Sequence, residues 1–238
     1  MKKYKRILLK ISGEVFAGEE DKEKKGISFL AVEKIARILI KIKQKHKGDL
    51  VIVIGGGNIF RGRDAIKFDR VAADNIGMLA TVINGLALQE TLRSMDVSSK
   101  VLTPISLGLG GEAFSKKAAL IYLKKGEILI FVGGTGNPFF STDSAAALRA
   151  CELECDLILK ATNVDGVYDK NPNKYNDAKL YEKISHDEVL IKNLEVMDST
   201  AFALCRDNKK PIVVFNIKKI DQVVDFLNGK IELGTLVS

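Results

Sequence analysis

The sequence predicts an α/β fold: a mostly parallel, open sheet with helices on both faces, a three-layer αβα sandwich. Three observations lead there. Short Ile/Val/Leu runs alternate with helical patterns of roughly 10–20 residues, the signature of repeated βα units. Glycine clusters close several of those runs, where an open α/β sheet places its ligand loops. No Pro/Ser-rich linker and no internal repeat interrupts the 238 residues, so residues 1–238 read as a single domain.

Arg6–Ile11 (RILLKI) reads as a buried strand ending at Ser12-Gly13. Phe29–Lys47 carries apolar residues at Leu30, Ala31, Ile35, Ile38, Leu39 and Ile42, a helical period with a lysine-rich outer face, stopped by Gly48-Asp49. Leu50–Ile54 is a β-branched strand running into Gly55-Gly56-Gly57, and Asp69–Met95 is a second long helix. Val101–Thr103 and Ile128–Val132 are strands, with a helix over Lys116–Lys125 before the second. A Gly-Thr-Gly loop opens a helix over Ser141–Cys151, and Leu157–Leu159, Ile212–Phe215 and Gly234–Val237 complete the sheet.

Composition narrows the function classes. With 46% hydrophobic and 28% charged residues the chain is an ordinary globular sequence. The apolar run behind the basic start is broken at Lys10, and no uninterrupted apolar stretch approaches the roughly 20 residues of a membrane span. A cytoplasmic location without membrane contact is the expectation. Cys151, Cys155 and Cys205, with only His46 and His186 to join them, offer neither a disulfide framework nor a zinc site, and buried inert thiols are expected. Cys151 and Cys155, four apart, would be neighbours on one face if a helix carried both.

The net charge of +7 sits entirely in residues 1–50, which hold 14 Lys+Arg against 7 Asp+Glu. Lys22, Lys24, Lys25 and the Lys41-Lys43-Lys45-Lys47 alternation supply most of it. No aromatic residue interleaves with them to stack on bases, so a solvated helix face is favoured over a nucleic-acid footprint.

The chemistry gathers at the strand ends. Lys10-Ile11-Ser12-Gly13, Gly55-Gly56-Gly57-Asn58 and Gly133-Gly134-Thr135-Gly136-Asn137 each present backbone N–H groups unobstructed by side chains, and at least two should lead into helix N-termini. Such loops hold anions. Lys10 follows Ile7-Leu8-Leu9, and Lys160 follows Leu157-Ile158-Leu159, so a lysine closes each of two apolar strands on the ligand side. Ammonium groups near a core call for an anionic partner. There is no G-x4-G-K-[ST] and no complete G-x-G-x-x-G. The pattern suits phosphoryl transfer, which needs cations and N–H donors around the moving group more than covalent chemistry.

Longer segments are more specific than any glycine loop. They are Arg6–Glu14 (RILLKISGE), Val53–Gly62 (VIGGGNIFRG), Arg70–Thr81 (RVAADNIGMLAT), Asn84–Leu88 (NGLAL), Gly134–Ala147 (GTGNPFFSTDSAAA), Lys160–Tyr168 (KATNVDGVY), Val196–Phe202 (VMDSTAF) and Pro211–Asn216 (PIVVFN). They resemble the bacterial UMP kinases of the amino acid kinase family, over essentially the whole chain. The resemblance implies that family's αβα fold and transfer of the γ-phosphoryl of Mg-ATP to UMP in pyrimidine nucleotide (UTP and CTP) biosynthesis.

By the resemblance, Lys10, Lys160, Asp143 and Arg61 are the catalytic group, with Asp143 orienting the two lysines. ATP is expected at Lys10, Ile11, Ser12, Gly13, Gly57, Arg61, Thr162, Tyr168 and Asn171. UMP is expected at Gly56, Asp74, Thr135, Gly136, Asn137, Pro138, Phe139, Phe140, Ser141 and Thr142. Mg²⁺ is expected on the phosphates, with no metal ligand set in the protein. A homohexamer is implied, with contacts from Phe29–Ile42 and Asp69–Leu92.

Two departures stand out. Asn171-Pro172 replaces the family's Asp-Pro, and the charged loop Ala17–Gly26 lies where relatives build part of their GTP-activation site. GTP activation and UTP inhibition therefore stay open. So do two other readings: a sister kinase with a carboxylate or carbamate acceptor, and a nucleic-acid-binding regulator built on the basic N-terminal fifth.

Overall fold

The computed structural model describes residues 4–18, 25–62, 67–108, 110–194 and 197–238. Lys22, Lys24 and the middle of the charged loop after Ala17 lie outside the described residues.

Among the described residues, nine strands form one sheet in the order β4-β3-β5-β2-β1-β6-β8-β9-β7. They are β1 (Arg6–Ile11), β2 (Asp49–Ile54), β3 (Ser99–Thr103), β4 (Glu112–Ala113), β5 (Ile128–Phe131), β6 (Leu157–Thr162), β7 (Lys183–Ile184), β8 (Ile212–Asn216) and β9 (Thr235–Val237). Every pairing is parallel except β8 with β9. The expected mostly parallel sheet is therefore what forms. The helices are α1 (Phe29–His46), α2 (Arg70–Ser94), α3 (Lys116–Lys124), α4 (Thr142–Glu152), α5 (His186–Ile191), α6 (Ser199–Asp207) and α7 (Val223–Leu227).

Strand parity sorts the core into two layers. Ile7, Leu9 and Ile11 of β1 pack with Leu39 of α1, Leu88 of α2 and Val223 of α7. Leu8, one residue out of phase, packs with Leu123 of α3, Ala146 of α4, Val189 of α5 and Phe202 of α6. Lys10 shares parity with Leu8 and so faces α4. In β6, Lys160 shares parity with Ile158, which belongs to the same layer. This parity brings both lysines to the α4 side.

Local rules fix the helices that hold the site. Ser28, Asp69, Ser115, Ser141 and Asp198 each accept a backbone N–H at a helix start. Lys47 ends α1 in the left-handed conformation at φ 57°, one residue before the expected Gly48 stop. Lys43 reaches past that end to the Gly48 carbonyl at 3.0 Å, a basic side chain closing a helix C-terminus. Lys41, Lys45 and Lys47 are exposed, the solvated face that composition favoured.

The 25-residue α2 is long and apolar enough by composition to cross a bilayer, although polar residues interrupt its apolar run. Ala73, Leu88 and Leu92 are buried, while Ile76, Leu79 and Ile83 recur on an exposed face.

Several expected boundaries shift. Lys160 lies inside β6 rather than closing it, and Thr162 is the last residue of the strand. The strand expected to start at Gly234 starts at Thr235. Gly234 itself has φ +63°, and a Cβ there would stand 2.0 Å from the Val214 carbonyl oxygen and 2.8 Å from that of Asp165. Gly234→Ala is expected to cost more than about 2 kcal/mol from left-handed strain plus the clash, read as a lowered melting temperature. Cys155 and Cys205 are buried and their thiols are pushed up to about 12, chiefly by burial, whereas Cys151 is half-buried. Since α4 ends at Glu152, Cys151 and Cys155 do not share a helix face.

Candidate active site

The four neighbouring strands β5, β2, β1 and β6 point their carboxyl ends to one edge, and all three glycine loops leave from there. Register makes the arrangement tighter than sequence spacing suggests. Lys10 is the Cα partner of Val53 on one side and of Lys160 on the other. Two ammonium groups on adjacent strands and the same face would repel each other without an anion between them.

Asp143 supplies it. Ser141 caps α4, accepting from the N–H groups of Asp143 and Ser144, and this places Asp143 in the first turn facing β1 and β6. Its Oδ1 lies 3.0 Å from Lys10 Nζ, and its Oδ2 accepts from Lys160 Nζ. Lys160 is 5% exposed. Burial works to raise the Asp143 carboxyl, but the charges of Lys10 and Lys160 outweigh it and hold the group below its ordinary range. Burial, followed by Lys10, pulls Lys160 below the ordinary lysine value against the opposing pull of Asp143. Two cations sharing one carboxylate leave a net positive charge aimed at the loop edge.

The glycine loops pack on one another. A Cβ at Gly13 would meet Asn58 Oδ1 at 2.5 Å and the Gly55 carbonyl at 2.7 Å, so the first two loops approach at backbone distance. Gly56 faces α2, where a Cβ would meet Ala80 and Gly77 at 2.8 Å. Gly57, by contrast, has only ordinary contacts with Arg61 at 3.7 Å. Of the two glycines expected between donor and acceptor, Gly57 is the one with open space around it. Among the described residues the third loop leads through Ser141 into α4, whereas the first enters the 3₁₀ turn Gly13–Phe16, so one loop rather than the expected two or more is seen to reach an α-helix.

Buried amides lock this packing. Asn58 and Asn84 exchange side-chain hydrogen bonds at 3.0 and 2.7 Å, and Asn84 also donates to the Gly55 carbonyl at 2.8 Å. Thr81 Oγ1 accepts the Gly133 N–H at 2.6 Å, tying the third loop to α2.

On the other side of the loop edge, Asp74 accepts from the Phe139 N–H at 2.7 Å and from Arg70 Nε at 2.8 Å. Burial works against it, yet these two donors hold its carboxyl below the usual range. Phe139 has φ 70° and is 65% exposed, with the Arg70 guanidinium 5.4 Å from its ring centroid. A bulky residue in that conformation on an exposed loop is a mark of a functional segment. Thr135 Oγ1 accepts the Asn137 N–H at 3.2 Å, Gly136 has φ +82°, and Pro138 and Phe140 continue the loop into Ser141 and Thr142. The Ser141 hydroxyl is engaged by the helix cap and by Asp198.

The outer strand ends place the remaining expected residues. Ile11 is buried at the end of β1, and Ser12 precedes the 3₁₀ turn. Thr162 ends β6, and Tyr168 pairs with Leu180 in an isolated bridge. Asn171 is exposed, and its side chain accepts the Asn173 N–H at 2.9 Å, closing a turn rather than pointing freely outward.

Three polar groups at the site escaped the sequence reading. Asp198 accepts from Ser141, from Ser144 Oγ at 2.9 Å and from the Ala201 N–H at 2.8 Å, joining α4 to α6. Glu14 pairs with Arg61. The Asn58–Asn84 pair is the third. Glu14, Asn58, Asn84 and Asp198 all lie in the segments that carry the family resemblance, but none of them bears a local chemical signal of its own.

An open αβα sheet presenting a shared-carboxylate lysine pair at a glycine-rich edge defines the class of phosphotransferases that work without a P-loop. The chain matches the model of the amino acid kinase family over residues 5–216 and belongs to that family. Within it, the similarity is to uridylate kinases. The uridylate kinase of Xanthomonas campestris pv. campestris is 47% identical over 236 residues, covering 98% of this chain and 96% of that protein. Among solved structures, the UMP kinase from Ureaplasma parvum is 42% identical with a TM-score of 0.89, all of both chains being covered. The UMP kinase from Bacillus anthracis is 37% identical with a TM-score of 0.93, covering 100% of this chain and 97% of that one.

Proposed function

We propose that this chain transfers the γ-phosphoryl group of Mg-ATP to UMP, giving UDP and ADP. The observation that carries the reading is the Lys10–Asp143–Lys160 cluster at the loop edge. The uridylate kinase similarity supplies the acceptor.

Lys10 and Lys160 offset the repulsion between two polyanions, and Asp143 holds both ammonium groups in place without touching phosphate. Ser12, Gly13 and Gly57 present N–H groups to the ATP phosphates, and Arg61 contacts phosphate at the boundary between donor and acceptor. Thr162, Tyr168 and Asn171 lie toward adenine. Asp74 contacts the UMP ribose, and the loop from Thr135 to Thr142 wraps the phosphate and uracil. Mg²⁺ enters with ATP, held by its phosphates. No general base is required, because the acceptor phosphate has a second pKa of about 6 and is already ionised near neutral pH.

The same reading places the enzyme in the cytoplasm as one domain of residues 1–238, in pyrimidine nucleotide synthesis. It assembles as a homohexamer. The exposed Phe29 and Leu30 at the start of α1 and Leu79 and Ile83 on α2 support self-association. GTP activation and UTP inhibition belong to the proposal only as properties to be assayed.

A coupled ADP-release assay with Mg-ATP and each of UMP, CMP, AMP, GMP, aspartate, glutamate and carbamate tests it. Turnover with UMP alone is expected. Activity with an acidic metabolite instead would keep the fold and replace the acceptor.

A further inference from the structure

Arg61 is held from two sides. Its Nε donates to the Gly57 carbonyl at 3.0 Å, and its Nη2 donates to Glu14 Oε1. The other oxygen of Glu14 accepts from Asn163 Nδ2 at 3.1 Å. Glu14 sits in the 3₁₀ turn directly after Gly13, and Asn163 directly after Thr162. One carboxylate thus joins the ends of β1 and β6 to the loop after β2.

A carboxylate at this edge is electrostatically adverse for an enzyme that must gather two polyanions, unless a cation matches it. The match is Arg61, whose planar guanidinium takes carboxylate and phosphate with the same paired geometry. The side chains of Arg61 and Glu14 are 31% and 20% exposed, so an incoming anion can reach the pair. Gly62, next in the chain, packs against Asp74, where a Cβ would stand 3.4 Å from its carboxylate oxygen. Asp74 in turn binds the Phe139 N–H. Arg61 therefore borders the acceptor side.

We propose that Glu14 is a positioning residue that orients the Arg61 guanidinium and competes with the UMP phosphate for it, so that UMP binding exchanges one anion for another on Arg61. This rests on the reading of Arg61 as a phosphate ligand. Asn163 retains the Glu14 carboxylate once the exchange has occurred, which keeps the displaced charge away from the transferred group.

The test is calorimetric binding of UMP to the full chain as wild type, Glu14→Gln, Arg61→Ala and the double variant. Glu14→Gln is expected to tighten UMP by about 2- to 5-fold, the upper range of a partly exposed ion pair, with a smaller change for Mg-ATP. The gain is expected to vanish in the Arg61→Ala background. Glu14→Asp, which keeps the charge but draws it back from Arg61, should move affinity the same way and serves if the glutamine variant does not fold. Unchanged or weaker UMP binding in Glu14→Gln, or an equal gain without Arg61, overturns the proposal. If Arg61→Ala alone leaves UMP affinity unchanged, the Arg61 reading fails first and the role of Glu14 falls with it.

Discussion

Lys10→Ala is expected to lower kcat by about 10²- to 10³-fold while changing UMP affinity by less than about threefold. Lys10 lies beside Lys160 in the strand register and 3.0 Å from Asp143, on the edge where the glycine loops converge. A cation there acts mainly on charge that moves during transfer, so its loss appears in turnover. Lys10 pairs with Asp143, while Asp74, expected at UMP, is engaged by the Phe139 N–H. Removing Lys10 also leaves Asp143 paired with Lys160, so the fold should hold. Steady-state kinetics together with equilibrium UMP binding separate the two effects. A raised KM for UMP at unchanged kcat would show that Lys10 only helps bind.

Asp143→Asn is expected to damage both stability and turnover. The amide removes the carboxylate charge that the two ammonium groups share, and breaking a buried ion pair this way costs about 3–5 kcal/mol. A melting temperature lower by on the order of 10 °C should follow. Because the phosphates of Mg-ATP bring back negative charge, the nucleotide should raise the melting temperature of the variant more than that of the wild type. Equal melting temperatures for the two proteins would contradict the reading of Asp143 as the shared partner.

The pH dependence follows from the same cluster. The folded Asp143 carboxyl titrates below its unfolded value, so its stabilisation is fully present above the unfolded value of about 4 and is lost progressively as pH falls from there through the lower folded value. Lys160 is a base with its folded pKa depressed, so its charge costs stability at neutral pH and that cost is relieved as pH rises. Turnover should move the other way, declining on the alkaline side as Lys160 loses its proton below the ordinary lysine range.

Much of this site could be read from the chain because its signals are local. RILLKI and DLVIVI are apolar enough to demand strands, the glycines that follow them demand close backbone approach, and two lysines in apolar runs demand an anion. The same locality misleads at Lys160: a charged residue looks like the end of a buried strand until pairing with β1 and β8 carries the strand to Thr162. The two-residue strands β4 and β7 have no periodicity of their own and exist only through their partners β3 and β9. α5, α6 and α7 are short helices between polar turns, set by caps such as the Ser185–Glu188 box rather than by long apolar stripes. Glu14, Asp198 and the Asn58–Asn84 pair act through contacts 26 to 149 residues away in sequence, which spacing does not encode.

The most direct test is transfer of label from [γ-³²P]ATP to UMP by the wild-type chain with Mg²⁺, followed by separation of the nucleotides. The reading predicts label in the β-phosphoryl of UDP, formed in step with ADP and falling in Lys10→Ala and Asp143→Asn. Label released as inorganic phosphate, or ADP formed without labelled UDP, would contradict it.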